Sequence, residues 1–215
     1  MNVFVGASVK SGGIVLLASI LSLGGCLGGP APQDHFYRLE LPGPTTRLDP
    51  PPLNGTLQVT RPWADALTSE RQLLFRQNHG SSRLHRHAYH RWVDSPTLIL
   101  QQEIARYLRR AHIAKQVVTP ELRVKVDYVL TCRIAKLEQV LDDSPRVVME
   151  LELSITHVND RQALMLETYH EEQATESPGI SASVIAYTHA LTNILNRFLD
   201  DSSRLGGGGN PSTNP

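Results

Sequence analysis

Three groupings of side chains in this sequence have the types and spacing that chemistry needs. His85-Arg86-His87-Ala88-Tyr89-His90 sets three imidazoles within six residues, and imidazole is a common ligand for zinc and copper. On a strand, however, His85 and His87 share one face and His90 points to the other. No Asp, Glu or Cys stands beside them at ligand spacing, Asp94 being the nearest acid. The stretch is therefore expected to be a polar strand edge, with no metal. Glu150 and Glu152 alternate onto one strand face, too close together to act from two sides of a substrate; a solvated sheet surface is expected. The serines lack the Gly-x-Ser-x-Gly elbow of a hydrolase, and no Gly-x4-Gly-Lys-Ser/Thr loop cradles a phosphate. No catalytic residue and no cofactor is expected. Tyr89-His90-Arg91-Trp92 lies just before Ser95-Pro96. Trp92 is expected to plug a join between a strand and a helix, with Tyr89 beside it; the other reading of the pair is an exposed interface anchor.

The one residue whose surroundings do specify chemistry is Cys26. Lys10 precedes an uncharged apolar run, Ile14 to Leu23, which closes on Leu23-Gly24-Gly25-Cys26. A charge, a short apolar segment and small residues make an export signal, and a cysteine directly after them resembles a bacterial lipobox. The resemblance implies cleavage before Cys26, a diacylglycerol on its thiol and an acyl chain, such as palmitate, on its new amine. The run is too short and too interrupted by Gly and Ser to span a bilayer, which takes about 20 apolar residues. Two or more acyl chains, at about 0.8 kcal/mol per buried methylene, do suffice for anchoring.

Of 215 residues, 190 remain after the 25-residue leader, enough for one ordinary domain that needs no disulfide or metal to fold. The chain holds 21 Lys+Arg and 21 Asp+Glu, and loss of Lys10 leaves 20 against 21. That balance lacks the basic face a nucleic acid requires. With Cys26 assigned to lipid, Cys132 has no partner and is expected to pack as a small hydrophobe.

Along the mature chain, residues 26–54 read as a lipidated tether with a short strand over 35–41. A loop follows that holds Pro42, Pro44, Pro50, Pro51 and Pro52. Thr56 to Arg61 reads as a strand halted by Pro62. Residues 72–77 and 83–89 flank Asn78-His79-Gly80-Ser81-Ser82 and read as a hairpin. Ser95 as cap, Pro96 in the first turn and Leu100, Ile104, Leu108 and Ala111 at helical spacing predict a helix from 96 to 111. Tyr128, Leu130, Cys132 and Ile134 alternate on a strand. After Asp142-Asp143-Ser144-Pro145 come Val147, Met149, Leu151, Leu153 and Ile155, alternating with mostly polar neighbours. A third strand over 163–172 follows Asn159-Asp160-Arg161. Val184, Tyr187, Leu191, Ile194, Leu195 and Phe198 form the stripe of a second helix, from about Ser181 to Asp200. The expected architecture is α+β: a two-layer sandwich in which two helices cover one face of a mainly antiparallel sheet. The domain is expected over 55–201 with the 35–41 strand joining it, and 202–215 as a disordered Gly-rich tail.

Taken in order, the pieces carry a resemblance. A lipobox is followed by Phe36-Tyr37-x-Leu39, Leu57-x-Val59-x-x-Pro62, Ala64-Asp65-Ala66-Leu67, Leu73-Leu74-Phe75-Arg76 and Tyr89-x-x-Trp92-x-x-x-Pro96. This order resembles the ABC-type transport auxiliary lipoprotein family over most of residues 26 to 200. The Pro-rich stretch from Pro42 to Pro52 and the Gly-rich tail depart from it. The resemblance implies a non-catalytic accessory subunit that faces the periplasm. Its implied partners are an MCE-domain protein, a permease and an ATPase that move lipids or other hydrophobic molecules; a homo-oligomer is compatible with it. Only Cys26, as lipid carrier, and Trp92, in the Tyr-x-x-Trp segment, carry over by position. Leu27 stands where an inner-membrane retention signal typically has Asp, so the outer membrane is the expected residence. A second reading is a regulatory envelope lipoprotein that activates a cell-wall synthase, but about 30 residues between Cys26 and Thr56 reach only about 100 Å at full extension. A metal-dependent or hydrolytic envelope enzyme would rest on the histidines alone.

Overall fold

The computed structural model describes Met1 and residues 32–206, so Cys26, the leader and the end of the chain lie outside the described residues. Eight strands run in the order β1 (His35–Tyr37), β2 (Leu53–Val59), β3 (Gln72–Arg76), β4 (His85–Trp92), β5 (Ala114–Val118), β6 (Tyr128–Val140), β7 (Arg146–His157) and β8 (Ala163–Ala174). Helix α1 (Pro96–Ala111) falls between β4 and β5, and α2 (Ile180–Ser203) follows β8.

The fold is α+β, as the alternation predicts, and its one open sheet is mixed. Most paired residues belong to the antiparallel meander β6–β7–β8. On its other side β6 takes three partners in turn: β2 along Tyr128–Leu130, the single residue Trp63 opposite Arg133, and β3 along Gln139–Val140, all parallel. β1 joins β4, and β5 joins β2, also in parallel. The parallel pairings were invisible in the sequence because nothing local distinguishes a strand that meets its neighbour in parallel.

Helix α1 begins and ends where its spacing predicts, with Pro96 in the first turn. Ser95 stands at the N-cap position, but its side chain does not cap. Its hydroxyl accepts from Arg61 Nη2 at 2.7 Å instead. The helix stops at His112, which adopts a left-handed conformation with φ 59°, and His112 Nδ1 lies 2.9 Å from the Leu48 carbonyl. β5, which follows, went unread because Lys115 and Gln116 interrupt its apolar residues. Its burial comes from lying between β2 and α1 rather than from alternation.

One face of the sheet meets the helices. Leu130, Cys132 and Ile134 of β6 are buried there with Val147, Met149, Leu151, Leu153 and Ile155 of β7, against Leu100, Ile104 and Leu108 of α1 and Tyr187, Leu191, Ile194 and Phe198 of α2. A bulge at Ala135 resets the alternation of β6, so that Leu137 also faces inward. The first strand is shorter than 35–41, yet Leu39 and Leu41 beyond it are buried in the core. Leu41 N–H donates to Glu103 of α1 at 2.9 Å. At the start of β2, Gly55 runs against Asp127, where any Cβ would clash with the carboxylate; that carboxylate accepts the Thr56 N–H at 2.8 Å. α2 passes residue 201 and ends at Ser203, its last turn held by buried Ser202, whose hydroxyl donates to the Phe198 carbonyl at 2.7 Å. The rest of the expected Gly-rich tail lies outside the described residues.

Candidate functional site

The helix-free face of the sheet is polar and ordered by register. Arg133, Glu152 and Thr168 form one row across β6, β7 and β8; Lys136, Glu150 and His170 form another. Lys136 Nζ lies 2.8 Å from Glu150, and His170 Nδ1 lies 3.0 Å from the same carboxylate. The Lys136 hydrogen bond outweighs burial and, with His170, holds the Glu150 carboxyl below its ordinary range. Arg146 reaches both Glu172, at 2.8 Å, and Asp142, at 2.9 Å. Carboxylates tied to cations in this way are held ionised, and none is set up to give a proton near neutral pH.

Trp63 rises from the same face. After Pro62 ends the run of β2, the backbone crosses to β6: Trp63 N–H donates to the Cys132 carbonyl at 2.9 Å and the Ile134 N–H donates to the Trp63 carbonyl at 2.8 Å. The indole is 62% exposed, and the Arg133 guanidinium sits 5.3 Å from its ring centroid. The turn that follows is pinned by Asp65, which accepts from the Thr68 amide at 2.9 Å and hydroxyl at 2.8 Å. Burial raises the Asp65 carboxyl, but these bonds outweigh it and hold the acid low. Trp63 was passed over in the sequence because it lies in no periodic segment. The available signal was an aromatic directly after a strand-ending proline and just before an Asp-x-x-Thr turn.

Strand β4 carries the residues singled out by type. Trp92 is 2% exposed, and its ring meets Tyr187 of α2 edge-on with centroids 5.7 Å apart. Tyr89, by contrast, is 45% exposed. The three histidines do not follow simple alternation. β3 residues Gln72 and Leu74 pair with Arg91 and Arg86, so β4 holds extra residues at this point and bulges. The bulge brings His87 and His90 together, with ring centroids 5.8 Å apart, where strict alternation puts His90 on the other face. Phe75 packs against both His85 (5.2 Å) and His87 (4.4 Å). His87 Nε2 bonds Gln139 at 3.1 Å. His90 stacks on His35 at 5.2 Å, and its Nδ1 lies 2.8 Å from the Tyr37 hydroxyl oxygen.

Among the described residues no three His, Cys, Asp or Glu side chains converge to hold a metal ion, and no helix is long and apolar enough to cross a membrane. The grooves are shallow. One of about 440 Å³ lies between residues 38–40 and α1, where Arg38 and Arg106 oppose Glu40, Asp94 and Glu103. Another of about 550 Å³ is walled by Leu48 and Pro50 to Pro52, with Lys115 at its rim. Neither aligns a nucleophile with a base. Cys132 is buried, and desolvation pushes its thiol up to about 12, which keeps it protonated and inert.

Comparison with known proteins first gives the fold. A crystal structure from Xanthomonas campestris is 18% identical, covers 80% of this chain and 97% of its own, and superposes with a TM-score of 0.69. A second crystal structure, of an uncharacterized protein, is 13% identical, covers 80% of this chain and 98% of its own, with a TM-score of 0.59. At such identities the likeness is one of fold. No curated protein matches the sequence. The model of one sequence family does match, over residues 37–197, from Tyr37 of β1 to Arg197 near the end of α2. On that match the chain belongs to the ABC-type transport auxiliary lipoprotein component family.

Proposed function

We propose that this protein is a non-catalytic, lipid-anchored accessory subunit of an ABC transport system that works with an MCE-domain protein and moves lipids or other hydrophobic molecules across a bacterial envelope. The observation that carries the reading is the family match across nearly the whole folded domain. The site geometry supports it. One sheet face is sealed by helices, the other presents paired charges around an exposed Trp63, and the functional groups are arranged for contact rather than bond-making. An aromatic ring held rigidly by an arginine at an otherwise polar surface is the kind of anchor that protein interfaces favour. Cys26 supplies the lipid attachment in this reading, Leu27 directs the protein to the outer membrane, and the domain faces the periplasm. A tether to a surface raises the effective concentration of the domain near a membrane partner without any new contact.

The test is a photo-crosslinking residue in place of Thr131, next to the Trp63–Arg133 pair, introduced into living cells. Adducts with an MCE-domain protein or a permease are expected, and they should be lost with Trp63→Ala. Adducts with a cell-wall synthase alone would overturn the transport reading in favour of a regulatory lipoprotein. Metabolic labelling with an alkyne fatty acid tests the anchor separately: the wild type should be marked and Cys26→Ser should not.

A further inference from the structure

The corner of the sheet where the chain enters the domain is built from groups that a change of pH would rearrange. β1 is only three residues long and pairs with β4 alone. On the helix side it contributes His35 and Tyr37, and both rest on His90: one by ring stacking at 5.2 Å, the other through its hydroxyl, 2.8 Å from Nδ1 and placed to donate to it when that nitrogen carries no proton. His87 touches His90 edge-on and bonds Gln139 of β6, whose amide in turn donates to the Pro178 carbonyl at 3.0 Å, just before α2. Ser181, in the first turn of α2, lies close enough to the Tyr37 hydroxyl to act on its ionisation.

We propose that His35, Tyr37, His87 and His90 form an acid-released latch, which docks β1 on the domain near neutral pH and frees it when the imidazoles charge. Three physical effects act in the same direction. A protonated His90 can no longer accept the Tyr37 hydroxyl at Nδ1, so the bond must reverse, with Nδ1–H donating to the phenol oxygen while the hydroxyl hydrogen loses this acceptor. Charges on His90, His87 and His35 would face one another across ring separations of 5.2 and 5.8 Å, where like charges repel. They would also lie near the N-terminal end of α2, whose exposed amides disfavour cations. The groups that face the latch are Phe75 from β3, His85 from β4, Gln139 from β6 and Ser181 from α2; none of these is an acid that could neutralise the new charge. The nearby ions are Arg91, paired with Asp34 at 3.5 Å, and Arg71, which lies over the Phe36 ring at 5.5 Å.

The titration sense agrees. Desolvation depresses both His87 and His90, and each is lowered further by a neighbouring histidine: His87 by His90, and His90 by His35. With β1 undocked these side chains return towards about 6.5. Docking therefore takes full effect above that value and is lost as pH falls through the lower pKa values of the docked state. Release leaves the domain core intact, because the next holds on the chain are buried Leu39 and Leu41. The release itself is independent of the transport reading. Its consequence, about 10 Å more reach from Cys26 for three freed residues, rests on the lipid anchor proposed above.

Hydrogen exchange of the full-length protein at pH 7.5 and pH 5.0, corrected for the intrinsic rate, tests it. Peptides spanning residues 34–38 should lose about tenfold in protection at the lower pH, while β7 and α2 change by less than about twofold. His87→Gln with His90→Gln, which keeps neutral hydrogen-bonding groups at both positions, should reduce the loss to under about threefold. Equal protection of 34–38 at the two pH values, or a loss that persists in the double variant, would overturn the latch. If the double variant does not fold, wild-type NMR decides. The His90 ring and the β1 amides must titrate with one midpoint, and separate midpoints would equally overturn it. Fatty-acid labelling at Cys26 is read independently, so failure of the anchor and failure of the latch are distinguishable.

Discussion

The two tryptophans of this chain stand in opposite situations, one buried between sheet and helix and the other held at the surface. Trp92 is 2% exposed, wedged between β4 and α2 against Tyr187, so its area is spent on cohesion. Trp63 is 62% exposed, fixed from below by the backbone of β6 and from the side by Arg133, yet it covers no core residue. A large aromatic that the fold positions without using is available to something outside the fold. Residue type alone could not separate the two; only their placement on the two faces of one sheet does.

The largest effect should come from the buried member. Trp92→Ala removes a side chain with no route for collapse and should destabilise the protein by about 3 to 5 kcal/mol, measured by urea unfolding. A loss below about 1 kcal/mol would place Trp92 outside the core. The same division by face predicts about 2 to 5 kcal/mol for Leu151→Ala, which is fully buried. Its neighbour Glu150, on the charged face, should lose only about 0.5 kcal/mol on Glu150→Gln. Comparable losses for the two would erase the distinction between faces.

Acidity offers a way to sharpen the contrast. Glu150 is held low chiefly by the Lys136 hydrogen bond, so its contribution is present above the unfolded carboxyl value of about 4.3 and is lost as pH falls through the depressed folded value. Glu150→Gln should therefore flatten part of the stability loss below about pH 4.3 and change little at pH 7. An unchanged acid limb would dissociate Glu150 from that loss. Cys132 belongs to the buried side: with its thiol pushed up to about 12, native protein at pH 8 should resist maleimide and react fully in urea. A comparably small thermodynamic effect is expected at Trp63→Ala, within about 0.5 kcal/mol. The change should nonetheless remove most of the fluorescence that acrylamide quenches readily. If Trp92→Phe removes that fraction instead, the two assignments are reversed.

Much of the fold was legible because its elements are locally periodic. The strand from Val147 to Ile155 alternates cleanly, and the stripe from Val184 to Phe198 recurs at helical spacing. What could not be read depends on partners distant in sequence. β5 is buried by β2 and α1, the parallel joins of β6 involve residues some 60 to 70 positions away, and the bulge in β4 overturns the period-two placement of His90. The Ser95 side chain illustrates the same point: a favourable cap by type, it was taken by Arg61 from another part of the chain. At the site, the charged face was legible through Glu150 and Glu152, whereas Trp63 was not, because an isolated aromatic in a short connection has no pattern to expose it.

The position of β6 at the centre of the sheet has a consequence for how the chain acquires its structure. The meander from β6 to β8 closes through near-neighbour contacts, and such contacts form quickly. β3 with β4 and β1, and β2 with β5, can pair earlier, but the two groups are joined only through β6, which begins at residue 128. When the chain is made N-terminus first, the β1–β4–β3 and β2–β5 groups therefore cannot be joined into one sheet until more than half of it has emerged. Completion of the sheet is delayed by topology alone. The same delay leaves the early apolar segments around Leu57 and Leu73 without the cover of the finished core until then, the interval in which a growing chain is most prone to associate with others.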